Sequence, residues 1–421
     1  MSGVVQARHD TLWADLCTDE REFAALGPLW ERLYRRCGTA TPFQSHTWLH
    51  SWWTSYGRPG RLRLVLVRDG GELRGAAPLM RVGPPLPRLV PLGGAISDFG
   101  DVLLDDEYAD RAAALLAEAL SAAARTTLID FREVRPGSAV ERVHEHWRGP
   151  RRRVRDSLCL ELPAVPMEGL VARLPGGKAQ RVKSKLRKLN ALGVVRRIAA
   201  PDEAGTALRR LLALHRLQWQ GRRVTPEHLR ERFAEHLVRA GGAMVRAGDA
   251  VVTEFLLDGE VVAVDLTLLS PRLAGCYLYG VHPLLREVKA DIAVMLLDAS
   301  ARHAATGERG TLSLLRGDEP YKHRWCPEAV VNQRLLMARR RTSPLLSAVA
   351  CHVAARSRVR ELVRGSRNGV TAGPEPPAAV GSAGGTAGSP NARPPAQVKA
   401  QLSAQPVLGP VAQVQRRAVR G

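Results

Sequence analysis

The sequence has few aromatic residues, no metal-ligand spacing and no long apolar run. Phe, Trp and Tyr make up 5% of the 421 residues, and the six cysteines show no C-x-x-C pattern. These cysteines are dispersed through apolar surroundings, so we expect a reduced, cytoplasmic protein without a metal site. The first residues lack the apolar core of a signal peptide, and no segment approaches the length of a membrane span. These absences argue against a disulfide framework, a zinc module or a membrane-spanning protein.

Positive charge is concentrated in two segments. The net charge is +21; residues 178–197 hold eight cations and no acid, and residues 341–421 hold eleven cations against two acids. The rest of the chain is only mildly basic, as in a soluble enzyme with two basic appendages. Any polyanion binding should therefore lie in these two segments.

The length predicts more than one domain. With 45% apolar residues the chain can bury a sizeable core, but 421 residues exceed what one core usually organises. We expect domains at residues 1–155 and 156–340, a basic helix at 341–365 and a disordered tail at 366–421. The tail is rich in Pro, Ala, Gly and Ser and has no aromatic residue, a composition that cannot bury enough surface to offset chain entropy.

An α/β unit recurs along the chain at a nearly constant offset. A helix, a hairpin turned by Asp-Gly, a second helix and a closing strand follow one another twice. The paired features begin 183, 189 and 184 residues apart, at Asp19 and Asp202, Asp69 and Asp258, and Thr127 and Thr311. Chance would produce one such match, but three in register predict tandem domains of one fold.

The segment PFQSHTWLHSWW, residues 42–53, predicts a helix capped by Ser45. Its tryptophans and Leu49 share one face, which we expect to be core. His46 and His50 are four residues apart, a spacing that suits a metal, but no third ligand is evident. The segment therefore predicts packing rather than chemistry.

Polar chemistry is densest at residues 316–325, RGDEPYKHRW. The preceding TLSLL indicates a buried strand, which Gly317 and Pro320 then interrupt. A charged cluster at the carboxyl end of a buried strand lies where open α/β sheets bind their ligands. The alternative is a salt-bridged turn that fixes the last strand to its neighbours.

This stretch closely resembles the LRGDEPYKYRW signature of the bacterial GNAT-superfamily acyltransferases known as CelD-like or BioF-associated acetyltransferases. Their sheets are related to those of the Fem-type peptidyltransferases. PFQSHTWLHSWW is a second family-like stretch, so the resemblance covers about the first 340 residues. It implies a mixed α/β (α+β) sheet in two tandem GNAT-like domains. It also implies direct acyl transfer from coenzyme A to an amine of a small molecule, a sugar or an envelope or polysaccharide precursor, with no covalent enzyme intermediate.

The resemblance implies where acetyl-CoA or another acyl-CoA would bind. Residues 279–297, YGVHPLLREVKADIAVMLL, are similar to the family's strand-to-helix turn, in which backbone N–H groups hold the pyrophosphate. The cofactor-binding residues expected on this basis are Gly280, Val281, Arg286, Lys289 and Arg316. The sequence departs from the glycine-rich family pattern at Glu287, Ala290 and Asp291, and two carboxylates there oppose a phosphate. A helix N-cap is the alternative role for Asp291.

Four residues are the candidates for catalysis. We expect Asp318 and Glu319 to share charge, which raises one pKa and makes that carboxylate a base near neutrality. Tyr321 or Tyr279 would protonate the leaving thiolate. The first-half strand ends in FREVRPGS and has nothing that matches Tyr321, so we expect the active site in the second half, facing a cleft shared with the first.

The substrate-binding candidates are charged residues near the same strand ends. Asp265 lies inside the apolar strand VVAVDLTLL, where an unpaired carboxylate is costly. It therefore either meets a cation such as Arg316 or faces a cleft. The others are Asp98, Lys322 and Arg324.

Two other functions stay open. A Fem-like aminoacyl transfer from charged tRNA would use the basic helix at Lys178 to Arg197, whose apolar residues recur at helical spacing. A non-catalytic polyanion-binding protein on the same fold is the second, although no standard nucleic-acid module is visible. A solvated helix face accounts for the basic segment without any partner.

Overall fold

The computed structural model describes residues 7–9, 11–84, 86–218, 220, 225–351, 353 and 355. The predicted tail at 366–421 and part of the predicted basic helix lie outside these ranges. Helical backbone runs from residue 343 to residue 351, within the segment predicted as that helix. No helix in the described ranges is long and apolar enough to cross a membrane.

The first half alternates short helices with strands. Its strands are β1 (Ala7–His9), β2 (Leu12–Cys17), β3 (Leu62–Asp69), β4 (Glu72–Val82), β5 (Arg88–Pro91), β6 (Leu103–Leu104), β7 (Leu128–Val134) and β8 (Arg151–Pro163). Its helices are α1 (Glu20–Ala25), α2 (Gly27–Arg36), α3 (His46–Tyr56), α4 (Ala109–Ala123) and α5 (Ala139–His146). The predicted β3–β4 hairpin turns at Gly70, whose φ of +58° suits glycine.

The second half begins with two helices, α6 (Met167–Ala172) and the basic α7 (Gly176–Ala191). Its strands are β9 (Val195–Ile198), β10 (Ala250–Leu257), β11 (Glu260–Leu269), β12 (Leu273–Val281), β13 (Thr311–Arg316) and β14 (Glu328–Met337). Its further helices are α8 (Ala204–Gln218), α9 (Glu231–Ala247), α10 (Leu284–Glu287) and α11 (Ile292–Ala304).

The two halves repeat one order of elements. A strand, a pair of packed helices, three antiparallel strands, a long helix and a closing strand run from β2 to β7 and again from β9 to β13. The first half adds α1 and β6 to this order, and the second adds the short α10. The tandem arrangement predicted from the three matched offsets is confirmed. Helix α9 was absent from the predicted elements, and it is the counterpart of α3 in the second half.

Within the described residues, fourteen strands form one mixed sheet, in the order β1-β2-β3-β4-β5-β7-β14-β8-β13-β12-β11-β10-β9 with β6 beside β4. Two strands pair with strands of the other half. β8, the last strand of the first half, pairs with β13, and β14, the last strand of the second half, pairs with β7. β8 and β14 also pair with each other. The halves thus exchange their terminal strands, and the predicted boundary at residue 155 falls inside β8.

Both halves contribute to one core on the same face of the sheet. α2 and α3 pack there with α8 and α9. α3 meets α9 where the rings of Trp48 and His236 lie 4.5 Å apart and Ser51 Oγ donates to the His236 carbonyl at 3.2 Å. Trp48, Trp52 and Trp53 are buried, so the prediction that their helix face is core is confirmed. On the opposite face α4 and α5 cover the first half, and α11 packs on β11, β12 and β13.

Candidate active site

Strands β12 and β13 separate after a short pairing. They run parallel and pair only where Leu273 to Gly275 face Thr311 to Ser313. β12 then continues to Val281 and β13 to Arg316. Past this pairing the backbone of β13 bonds to side chains: Leu315 N–H donates to Ser313 Oγ at 3.2 Å, and Arg316 N–H donates to Asp98 at 3.4 Å. The gap between these two strands is the structural centre of the site.

A cavity of about 750 Å³ lies in this gap. Its floor and sides come from β12, β13 and α11, and residues 95–98 of the first half form another wall. The apolar lining includes Ile96, Ile292, Leu296, Leu314 and Trp325. A mostly apolar cleft with a few convergent polar groups is typical of a small-molecule site. Its position, in the second half and bordered by the first, is where the sequence predicts the active site.

The matching gap in the first half is largely filled. β5 and β7 also run parallel and pair briefly, at Arg88 with Leu128 and Leu89 with Ile129. The chain after β5 then returns to β7, and Gly100 N–H donates to the Glu133 carbonyl at 3.0 Å. A Cβ on Gly100 would clash with the Arg132 carbonyl oxygen, so only glycine allows this approach. The cavity lined by residues of both β5 and β7 is about 290 Å³, less than half the volume of the cavity in the second half.

Arg316 ties the end of β13 to the first half. Its Nε donates to Asp98 at 2.6 Å, and its two terminal nitrogens reach Glu133 at 3.3 Å and the Ala95 carbonyl at 2.7 Å. Burial alone would lower the pKa of this guanidinium, but the charges of Asp98 and Glu133 raise it. Arg316 therefore does not pair with Asp265, and its cofactor-binding role stays a prediction. Arg316 and Asp98 together hold residues 95–98 against the cavity.

Lys322 is buried beneath the same turn. Only 5% of it is exposed, and its Nζ donates to the Arg316 carbonyl at 3.0 Å and pairs with Glu319 at 2.8 Å. Lys322, Glu319 and Tyr321 all line the cavity. Lys322 thus has satisfied partners, which is what the burial of an ammonium requires.

Asp318 lies apart from these residues. It pairs with His323 at 2.6 Å on the exposed side of the turn and is not among the cavity-lining residues. The adjacent carboxylates have different partners, because Asp318 faces His323 while Glu319 faces Lys322. Gly317, with a φ of +123°, allows the tight turn that separates them. The catalytic roles of Asp318 and Glu319 stay predictions.

Asp265 faces the cavity, and no cation among the described residues pairs with it. Thr267 Oγ1 and Ser300 Oγ donate to its Oδ2 at 3.0 and 3.2 Å. It is 3% exposed, and burial raises the pKa of Asp265 to about 7, although the two hydrogen bonds oppose the rise. Of the two environments predicted for this residue, the cleft is confirmed. Ser300 joins Asp265 from α11, 35 positions away in the sequence, and no local signal identifies it.

The two tyrosines stand at the mouth of the same cavity. Burial raises the pKa of Tyr279, and burial together with the neighbouring Tyr279 raises that of Tyr321. Both phenols therefore keep their protons at neutral pH and are able to donate them. Arg286 also lines the cavity; it is exposed, and within the described residues its guanidinium has no hydrogen-bond or ion-pair partner.

The remaining cofactor candidates of this turn lie outside the cavity. Gly280 packs against α8, where a Cβ would clash with the Leu211 carbonyl oxygen. Val281 is buried and pairs with Ala263 in the sheet. Lys289 is exposed, with a φ of +55°, and its carbonyl accepts from Lys188 Nζ at 3.0 Å. Close packing against α8 thus explains why residue 280 is a glycine. The phosphate-binding roles of these residues stay predictions.

Asp291 is the N-cap of α11, the alternative considered for it from the sequence. Its Oδ1 accepts from Val294 N–H at 3.1 Å. Arg324 donates to the same carboxylate at 2.9 and 3.2 Å, and Lys185 of α7 pairs with it. Arg324, predicted to bind substrate, is therefore occupied by Asp291 and is not a cavity-lining residue.

The part of the chain that builds this cavity matches a known sequence family. Residues 177–323 match the family described as acetyltransferase (GNAT) domain. This matched segment contains most of α7, the separated strands, α11 and the signature turn up to His323. No curated protein sequence matches the chain significantly. The more specific CelD-like assignment rests on the signature resemblance alone.

Three solved structures share the fold over most of the chain. The crystal structure of FemX has a TM-score of 0.55 at 10% identity and covers 80% of this chain and 99% of its own. The C-terminal domain of a protein described as a putative lysylphosphatidylglycerol synthetase, from Agrobacterium fabrum, has a TM-score of 0.51 at 11% identity, covering 79% and 96%. A conserved protein from Bacteroides thetaiotaomicron has a TM-score of 0.50 at 10% identity, covering 80% and 100%. At these identities the likeness concerns the fold alone, and it spans both halves.

Proposed function

We propose that the chain is an N-acyltransferase that passes an acyl group, in the first instance acetyl, from an acyl-CoA directly to an amine. The observation that carries this proposal is the open gap between β12 and β13 within the matched segment, with its cavity reached by Asp265, Tyr279 and Tyr321. The acceptor proposed is a small molecule, a sugar or an envelope precursor. The free cysteines of the described chain are consistent with the proposed cytoplasmic location.

Asp265 is the proposed proton acceptor. The amine nitrogen attacks the thioester carbonyl, the C–N bond forms and the C–S bond breaks. The proton lost by nitrogen passes to Asp265, whose pKa of about 7 suits a base at neutral pH. Tyr279 or Tyr321 supplies a proton to the departing thiolate, because both phenols are protonated there. Glu319 and Lys322 shape the cavity rim, and Arg286 is the cation available for a phosphate of the donor.

The first test is ligand binding by thermal shift with coenzyme A, acetyl-CoA and longer acyl thioesters. A ligand present at one hundred times its dissociation constant stabilises the folded state by about 2.7 kcal/mol. We expect a shift with at least one thioester, and we expect Leu296→Trp, which fills the cavity, to abolish it. Val238, a partly buried residue of α9 away from the cavity, provides the control Val238→Leu. Equal shifts in the two variants, or none in the unchanged protein, would contradict acyl-CoA as donor.

An aminoacyl-tRNA donor is the second candidate function. Two observations favour it: FemX shares the fold across 99% of its own length, and a carboxylate fills the helix terminus where a coenzyme A pyrophosphate would bind. In this function the exposed cations of α7, Lys183 and Arg187, would meet the tRNA backbone. The same cations would serve a non-catalytic polyanion binder.

Charge reversal on α7 tests both polyanion functions. We expect Lys183→Glu with Arg187→Glu to abolish salt-dependent tRNA binding if either holds, because each lost phosphate contact lowers the salt slope. Lys185 must be left unchanged, since its loss would unpair Asp291 rather than remove a surface charge. Binding is measured by filter retention at several salt concentrations, with the melting temperature as the folding control. If no binding appears at low salt, the cations form a solvated helix face.

A further inference from the structure

The N-terminus of α11 borders the cavity. Ile292 and Ala293, its first two residues, are part of the lining. The first N–H groups of a helix and the positive end of its dipole attract anions, and phosphates commonly bind there. Lys185 from α7 and Arg324 from the signature turn converge on the same point. We call these two cations and the N-terminus of α11 the α11 anion site.

One side chain of the protein already fills the α11 anion site. The Asp291 carboxylate accepts from Val294 N–H, contacts Lys185 and takes two hydrogen bonds from Arg324. Burial alone would raise the pKa of Asp291, but Lys185, the Val294 N–H and the charge of Arg324 lower it overall. The carboxylate therefore stays ionised at neutral pH. Its three partners come from three separate segments, so the arrangement belongs to the tertiary structure and not to a local turn.

We infer that Asp291 is a specificity residue that closes the α11 anion site to phosphate, so that the donor is recognised without a phosphate at this point. The inference deepens the proposed acyl transfer and rests on it for the identity of the donor. A phosphate entering the site would either face the Asp291 carboxylate at contact distance or displace it. Electrostatic repulsion opposes contact between the phosphate and the carboxylate. Displacement of the carboxylate would cost the N-cap and two ion pairs. Arg286, exposed at the cavity and unpaired within the described residues, is then the group left to meet an anionic part of the donor.

Removing the charge of Asp291 tests this inference with inorganic pyrophosphate as the probe. Asn caps helices as well as Asp does, so Asp291→Asn should keep the fold while freeing Lys185 and Arg324. We expect the variant to bind pyrophosphate at least tenfold more tightly than the unchanged protein in calorimetry. Asp291→Asn combined with Arg324→Gln should lose most of that gain. If Asp291→Asn melts markedly lower, Asp291→Ser, which also retains a capping oxygen, replaces it.

Glu287→Gln is the matched control. Glu287 is an exposed acid four residues earlier and has no ion pair within the described residues, so its loss changes net charge equally. We expect it to leave pyrophosphate binding within twofold of the unchanged protein. Equal gains in the Glu287 and Asp291 variants would assign the effect to general charge and overturn the inference. Tight pyrophosphate binding by the unchanged protein would overturn it as well.

Coenzyme A and pantetheine separate this inference from the proposed function. They differ by the pyrophosphate and the 3′-phosphoadenosine. The change in their affinity ratio between the unchanged protein and Asp291→Asn therefore reports the phosphate contribution at the α11 anion site, because the adenosine and Arg286 are common to both measurements. We expect the ratio of coenzyme A affinity to pantetheine affinity to rise at least tenfold in Asp291→Asn. If the unchanged protein binds neither ligand, the acyl-CoA proposal fails, while the pyrophosphate comparison still decides the role of Asp291.

Discussion

Asp265→Asn is expected to lower turnover by a factor of about 100 or more, the usual contribution of a general base, while making the protein more stable at pH 8. The carboxylate lies in the cavity, 3% exposed, with hydrogen bonds from Thr267 and Ser300 on one oxygen and no cation paired with it in the described part of the chain. Asparagine has nearly the same shape and still accepts those two hydrogen bonds through its carbonyl oxygen. Single-turnover measurements with the donor found by thermal shift give the rate.

The stability gain follows from the sign of the pKa shift. The ordinary pKa of an aspartate is 3.8, and burial raises that of Asp265 to about 7 in the folded protein. Between these values the folded state binds more protons than the unfolded state, so stability falls as the pH rises through this window. The neutral amide of the Asp265→Asn variant carries no such dependence. The two melting temperatures should therefore coincide near pH 4 and separate by several degrees at pH 8. Burial also raises the pKa of Asp101 to about 7. Asp101 is present in both proteins, so its effect cancels from the difference between their melting temperatures.

Asp318→Asn provides the comparison. Asp318 and His323 form an exposed pair outside the cavity, and such pairs contribute about 0 to 1 kcal/mol to stability. We expect turnover to remain within about threefold, since the side chain lies away from the proposed reacting atoms. A large loss of turnover in Asp318→Asn with normal turnover in Asp265→Asn would identify Asp318 of the signature turn as the base instead. A loss of activity and of stability at every pH in Asp265→Asn would give Asp265 an architectural role.

The sequence predicts those parts of the site that local chemistry marks. Arg316, Glu319, Tyr321 and Lys322 stand together because ten consecutive residues carry them, and all line the cavity. Asp265 can be identified as a candidate because an unpaired carboxylate inside an apolar strand is energetically costly. The partners of these residues are not predictable in the same way. Asp98 meets Arg316 across 218 positions, and the register that joins them depends on how the two halves pack.

The fold shows the same limit. Helix periodicity and Asp-Gly hairpins predict the repeated elements, because each depends on residues close in the sequence. The exchange of β8 and β14 depends on pairing between strands far apart in the sequence. Both strands carry the alternating or apolar pattern that suits either edge. A domain boundary drawn from composition therefore falls inside β8, where the chain is already part of the other half's sheet.

Fragments 1–165 and 166–355 are expected to fold only together. The first fragment keeps β8, whose partners β13 and β14 lie in the second, and the second keeps β14, whose partner β7 lies in the first. Leu335, Leu336 and Met337 of β14 are fully buried. Full burial of such a side chain contributes roughly 1.5 to 3 kcal/mol, so the three together are comparable with the whole stability of a domain, about 5 to 15 kcal/mol.

Buried charge strengthens the same expectation. Arg334 of β14 donates to both oxygens of Asp130 in β7 at 2.7 Å, and Asp130 is fully buried. Among the described residues, a fragment that holds Asp130 without Arg334 keeps the ion pair with Arg88 but loses two hydrogen bonds to a fully buried carboxylate, and removing one partner of a buried charge is destabilising. The first fragment alone also exposes the edge of β7 in what is the middle of the intact sheet. Such an unprotected edge favours aggregation.

Co-expression of the two fragments tests whether the halves fold only together. The two fragments, with the cut between Val165 and Pro166 in the loop after β8, should copurify in equal amounts and melt in one transition, while each alone should be insoluble or lack a cooperative melt. Residues 1–355 as an uncut chain are the matched control and should melt as the full-length protein does, which also tests the predicted tail. If fragment 166–355 alone melts cooperatively, the second half closes its own sheet without β8. The strand exchange would then be a contact between two independent domains, and the cavity would be expected to bind its donor without the first half.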